Sequence, residues 1–96
     1  MIKKVKKIEV ITCLEVTIEH PLKKSGEVSM LISKYLHDNT YIFSIPYHDW
    51  SYQKDADKEI NFTYAPSGYN HPENKARLIE AMNEAIRIIE NDTHAR

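Results

Sequence analysis

Between residues 8 and 19 apolar and polar side chains alternate. Ile8, Val10, Leu14, Val16 and Ile18 recur at every second position, Thr12 holds the register, and Glu9, Glu15, Thr17 and Glu19 fall between them. Successive side chains of an extended chain point to opposite faces, so this pattern predicts a strand with one buried side. Ile11 and Cys13 interrupt the polar set, which makes the middle of the strand apolar on both sides. His20-Pro21-Leu22-Lys23-Lys24-Ser25-Gly26 then turns the chain, because proline and glycine break a ladder. A second strand is predicted from about Glu27 to Leu36, with Val28, Met30, Ile32 and Leu36 on one face and Ser29, Leu31, Ser33 and Tyr35 on the other. His37 to Thr40 reads as a tight hairpin, since Asp and Asn tolerate positive φ. The third strand, about Thr40 to Tyr47, places Tyr41, Phe43, Ile45 and Tyr47 together, and Pro46 marks its end.

The alternation then stops, and His48 to Lys58 reads as a loop of about eleven residues. A short fourth strand from Glu59 to Ala65 carries Ile60, Phe62 and Tyr64, and Pro66-Ser67-Gly68-Tyr69 turns into a helix over about residues 71–90. Asn70 is the expected N-cap, with Pro72 in the first turn and Glu73 three residues on. Leu78, Ile79, Ala81, Met82, Ala85, Ile86, Ile88 and Ile89 fall within an arc of roughly 180° at ~100° per residue. A stripe of Ile79, Met82, Ile86 and Ile89 is expected to face the sheet. Hairpin connections followed by one amphipathic helix predict an α+β fold. The expected architecture is a four-stranded antiparallel β-meander with one C-terminal helix packed on one face (ββββα), a single domain over residues 1–96.

Composition adds limits. At 42% hydrophobic and 28% charged, with two glycines and four prolines, the chain has ordinary globular usage. Thirteen basic and fourteen acidic side chains leave a net charge of −1. That balance disfavours nucleic acid as the partner, because neutralising phosphates drives most of such binding. Cys13 is the only cysteine, so no intramolecular disulfide forms, and its apolar neighbours predict a buried, inert thiol. The lysines of the first seven residues are not followed by a signal-type apolar run, and no stretch approaches a membrane span, so a cytoplasmic protein without membrane contact is expected.

The five histidines include two followed by aspartate, His37-Asp38 and His48-Asp49. A metal site needs such groups to converge, and the two pairs flank opposite ends of the third strand. Eleven residues of extended chain separate them by more than about 30 Å, so the expectation is no metal and no cofactor. Phosphate loops need more glycine than Gly26 and Gly68 provide. Glu73-Asn74-Lys75 matches half of a nuclease carboxylate–lysine pattern, but at a helix start. The chain therefore reads as non-enzymatic, with a small hydrolase-type enzyme around His48 and Asp49 as the third-ranked alternative.

Protein interaction ranks first. Tyr47, His48, Asp49, Trp50 and Tyr52 concentrate aromatic side chains, including the only tryptophan, in a loop longer than a hairpin needs. Such residues anchor interfaces because they bury much area at little rotamer cost. The competing reading makes Trp50 a lid over the open end of the core. Ile11, Leu31, Tyr35 and Ile42, on the sheet face away from the helix, predict self-association as a homodimer. Stand-alone domains of this kind commonly act as inhibitors or accessory factors that occupy a partner's surface, including those carried by phages and mobile elements. The second-ranked alternative is a nucleic-acid-binding module using sheet lysines and tyrosines. Lys3, Lys4, Lys6 and Lys7 stand at one end of the first strand, and Lys23 and Lys24 at the other, so they are not expected to pool.

Overall fold

The computed structural model describes residues 1–5, 11–19, 26–35, 39–66 and 68–94, with the side chains of Ile11, Tyr35 and residues 92–94 outside that description. Four strands, β1 (Ile11–Glu19), β2 (Glu27–Tyr35), β3 (Thr40–Ile45) and β4 (Trp50–Asp55), precede one helix, α1 (Pro72–His94). The strands pair antiparallel in chain order, β1-β2-β3-β4, so the fold is the expected ββββα meander.

The register decides which side chains share a face. Leu14, Ile32, Phe43 and Tyr52 form one row across all four strands, and Val16 with Met30 and Ile18 with Val28 extend the same side. Met30, Ile32, Phe43 and Ile45 are fully buried there. Opposite them α1 contributes Leu78, Met82, Ala85 and Ile89, also buried, at spacings of four, three and four that keep them on one face. Each large side chain so buried stabilises the fold by roughly 1.5–3 kcal/mol. The expected stripe is therefore rotated: Ile79 and Ile86 pack at its margins, half-buried. An apolar arc of 180° fixes a face without fixing its centre line.

The fourth strand is not where alternation placed it. β4 occupies Trp50–Asp55, inside the predicted loop, while residues 59–65 form no strand. Trp50, Tyr52 and Lys54 face the helix side and Ser51 and Gln53 face out, so period two was present with a lysine in an inward position. Lys54 is only 7% exposed. Its Nζ donates to the carbonyls of Asp55 at 2.9 Å and Ala56 at 3.4 Å, which satisfies a charge that would otherwise oppose burial. The β3–β4 connection is short because Pro46–His48 makes a 3₁₀ turn closed by Asp49 at φ 51°, ψ 46°. The Asp49 N–H donates to Pro46 O at 3.0 Å, and aspartate is among the few side chains that tolerate this left-handed geometry. Tyr47 thus leaves the β3 face and stands 72% exposed.

Residues 56–66 and 68–71 then roof the β3–β4 half of the sheet, with no ladder among these described residues. Ile60 and Phe62 reach the core, but the Asn61 N–H donates to the Tyr52 hydroxyl at 2.9 Å and the Ala65 N–H to Asn70 Oδ1 at 3.4 Å. Side chains take the place of a strand partner. Asn70 is consequently not the N-cap. The His71 carbonyl accepts the first helical bond from Lys75 at 2.9 Å, and His71 Nδ1 accepts the Glu73 N–H at 3.4 Å. The approach is set by a turn in which Tyr69 N–H donates to Pro66 O at 2.9 Å and Gly68 takes φ 90°, a geometry that excludes a Cβ.

Candidate functional site

The aromatic end of the sheet is built around Trp50. Its indole lies on the core side of β4, stacked on Tyr52 (centroids 6.2 Å, 15°) and edge-on to Phe62 (5.3 Å, 73°). Trp50 Nε1 donates to Tyr64 O at 2.8 Å, so the 3₁₀-turn side of β4 and the 56–71 segment are joined at this point. Phe62 also takes Tyr52 edge-on at 5.4 Å and the Lys75 ammonium over its ring at 5.2 Å, which ties the start of α1 to the same cluster. The His48 imidazole stands edge-on to Tyr47 at 5.0 Å and to Tyr69 at 6.1 Å. Tyr69, 3% exposed, donates its hydroxyl to Glu19 O at 2.8 Å, and burial raises its pKa above the ordinary phenol value. Two tyrosines project from this frame into solvent: Tyr47 at 72% and Tyr64 at 82% exposure.

Of the predicted partner-binding set, Tyr47 and Asp49 are exposed, His48 is half-buried, and Trp50 and Tyr52 are half-buried against the core. Tyr64 was not singled out from the sequence. Its signal was the alternation of Ile60, Phe62 and Tyr64, which was assigned to a strand and so to packing.

At the opposite end of the helix side, Thr12, Lys34, Tyr41 and Lys54 form a polar row across the four strands. Lys34 Nζ donates to Glu90 Oε1 of α1 at 2.6 Å, and the Tyr41 hydroxyl donates to the same oxygen. The Lys34 and Lys54 ammonium groups lie 5.2 and 5.6 Å from the centre of the Tyr41 ring. These cations favour a phenolate, yet the Tyr41 pKa is raised: burial acts first, then the hydrogen bond to Glu90, then its charge. The row is a satisfied polar cluster that anchors the last turns of α1.

On the outer face Cys13, Ser33, Ile42 and Gln53 form one row and Glu15, Leu31, Ser44 and Ser51 the next. Cys13 is exposed there and accepts the Ser33 hydroxyl at 3.4 Å. The expectation of a buried thiol fails because Leu14, Val16 and Ile18 commit the even positions of β1 to the core, turning Cys13 outward. Leu31 and Ile42 are half-buried among serines. The side chains of Ile11 and Tyr35, the other two predicted self-association residues, lie outside the described ones, as do His20, His37, Asp38, Lys6, Lys7, Lys23 and Lys24.

Between β1 and α1 runs a groove of about 570 Å³. Val16, Ile18, Leu78 and Ala85 contribute its apolar floor, and Glu19, Glu80 and Glu84 outnumber Arg77 along it. Among the described residues no group of His, Cys, Asp and Glu is placed to hold a metal ion, and no helix is long and apolar enough to cross a membrane. No family model, curated protein or solved structure matches the chain.

Proposed function

We propose that this chain is a non-enzymatic protein-interaction domain that works by occupying a partner's surface, as an inhibitor or accessory factor does. The observation that carries the reading is the pair of exposed tyrosines, Tyr47 and Tyr64, mounted on segments pinned by the Trp50–Tyr64 hydrogen bond. Aromatic side chains held on a rigid frame lose little entropy on docking, which suits them as central anchors. In this reading Trp50 and Tyr52 support the anchors from below, and His48 and Asp49 set the turn that presents Tyr47. The nucleic-acid alternative finds less support: Tyr41, Tyr52, Lys34 and Lys54 lie on the covered side of the sheet, where Lys34 and Tyr41 engage Glu90 and Tyr52 packs on Phe62.

Immobilised protein exposed to nuclease-treated lysate tests the proposal. The expected result is a retained protein partner that binds the Tyr47→Ala/Tyr64→Ala variant at least about 30-fold more weakly, the loss typical of two anchor truncations. The variant's melting temperature should be unchanged. Equal retention by the variant, or retention abolished by nuclease, would overturn it.

A further inference from the structure

We infer that the groove between β1 and α1 is a docking site for an amphipathic helix of a partner protein, apolar on the face that enters and rich in lysine or arginine on the flank beside α1. The inference is independent of the tyrosine pair.

The helix leaves the inner face of β1 incompletely covered. Leu14, Val16 and Ile18 stand opposite Ile32, Met30 and Val28 of β2 on the same side of the sheet. The three on β2 are 4% exposed or less, whereas the three on β1 are only half-buried. Ile88 of α1, 46% exposed, adds to this uncovered apolar surface. Val16, Ile18 and Ile88 line the groove of about 570 Å³ that lies between the two elements. It is hollow because the α1 row along it is Arg77, Ala81 and Ala85, one turn apart and ending in two methyl side chains. A low row of this kind accepts the side-chain ridge of a second helix at close range. From Arg77 to Ile88 the helix rises about 16 Å, or three turns, which suits apolar anchors at i, i+4 and i+7 of an incoming helix.

Charge selects the partner's flank. Glu80 and Glu84 stand on the neighbouring row of α1, in line with Ile88, and Glu19 closes the β1 end. Arg77 is the only cation among the described residues that line the groove. Glu80 and Glu84 are one turn apart, a like-charge spacing that weakens a helix on its own. Among the described residues neither carboxylate has an ion-pair or hydrogen-bond partner. A lysine or arginine set beside them removes the repulsion, and an acidic or purely apolar helix does not. Apolar contact supplies the affinity, while the glutamates set orientation and choice of partner.

A leucine–lysine amphipathic peptide of about four turns tests this by titration into the isotope-labelled protein. Amide resonances of Val16, Ile18, Ala81 and Ile88 should shift on binding, and the same peptide with glutamate in place of lysine should leave them unmoved. Glu80 and Glu84 are exposed, so E80Q/E84Q should fold with unchanged far-ultraviolet dichroism and bind at least about tenfold more weakly. I88S should also weaken binding, because it removes apolar contact without touching a charge. Asp57 and Glu59 are exposed away from the groove, and D57N/E59Q should bind as the wild type does. Absence of binding, shifts centred outside the groove, or equal losses in D57N/E59Q and E80Q/E84Q would overturn the inference. So would a wild type that sediments as a dimer and becomes monomeric in I88S, which would assign the groove to a second copy of the chain.

Discussion

The two halves of this sheet are roofed by different means. Over β1 and β2 lies α1, whose buried Leu78, Met82, Ala85 and Ile89 repeat at helical spacing. Over β3 and β4 lies an irregular segment, and the contact there is aromatic: Trp50, Tyr52 and Phe62 meet ring to ring. A helix satisfies its own backbone, so it needs only an apolar stripe. An irregular roof must satisfy its backbone from outside, and here Tyr52, Trp50 and Asn70 make those bonds. Under the helical roof, β2 is the strand that pairs with β1 among the described residues.

The largest expected effect is on the helical roof. Met82 is fully buried, and Met82→Asp places an unpaired charge in the core at a cost of several kcal/mol. The protein should lose its cooperative thermal transition by circular dichroism. Ile86→Asp should do less, because Ile86 is half-buried at the margin of the stripe. Equal tolerance of both would mean α1 does not carry the core.

The irregular roof comes next. Phe62, 8% exposed, is the roof side chain that meets Trp50 and Tyr52 ring to ring, and Phe62→Ala should cost about 3–5 kcal/mol in chemical denaturation. Tyr64→Ala, two residues away and 82% exposed, should stay within about 0.5 kcal/mol. Hydrogen exchange should then speed up in β4 of the Phe62 variant before it does in β2. Uniform acceleration across the sheet would show that the two roofs act as one unit.

Tyr41 allows a smaller test, through pH. Its folded pKa is raised above the ordinary phenol value of about 10, so the native state holds the proton more tightly than the unfolded chain. That contribution is intact below the ordinary value and is lost as pH rises above it. Stability should therefore fall on the alkaline side, and Tyr41→Phe should flatten part of the fall. Tyr69 is raised with the same sign, so a residual slope should remain until Tyr69→Phe is added. An unchanged slope in the double variant would place the alkaline sensitivity elsewhere.

The same contrast between roofs explains what the sequence revealed. Val28, Met30 and Ile32, then Tyr41, Phe43 and Ile45, follow period two with large apolar residues, and both strands were legible from it. α1 was legible as an apolar arc, though its centre was not. β4 was hidden because Lys54 occupies an inward position whose satisfaction depends on the carbonyls of Asp55 and Ala56 and on the ring of Tyr41, directly opposite it on β3. Conversely, Ile60, Phe62 and Tyr64 carry strand-like alternation that serves packing alone: Ile60 and Phe62 join the core and Tyr64 stands in solvent. The candidate anchors were half visible: Tyr47 and Trp50 drew notice as aromatics, but only the fold separates the exposed tyrosine from the indole packed beneath.

The smallest effect sharpens the contrast between the two edges. Thr17 on β1 and Ser51 on β4 are both exposed on the outer face, so Thr17→Lys and Ser51→Lys deliver the same charge to the two edge strands. Neither touches the core, and each should change stability by less than about 0.5 kcal/mol. Thr17 lies two residues from both Glu15 and Glu19, on the same face, so its replacement by lysine should be slightly stabilising within the monomer. Ser51 has Gln53 beside it and Ser44 across the ladder, and its replacement should be neutral. A gain for Ser51→Lys equal to that for Thr17→Lys would mean that the Glu15 and Glu19 carboxylates do not set the difference between the two edge strands.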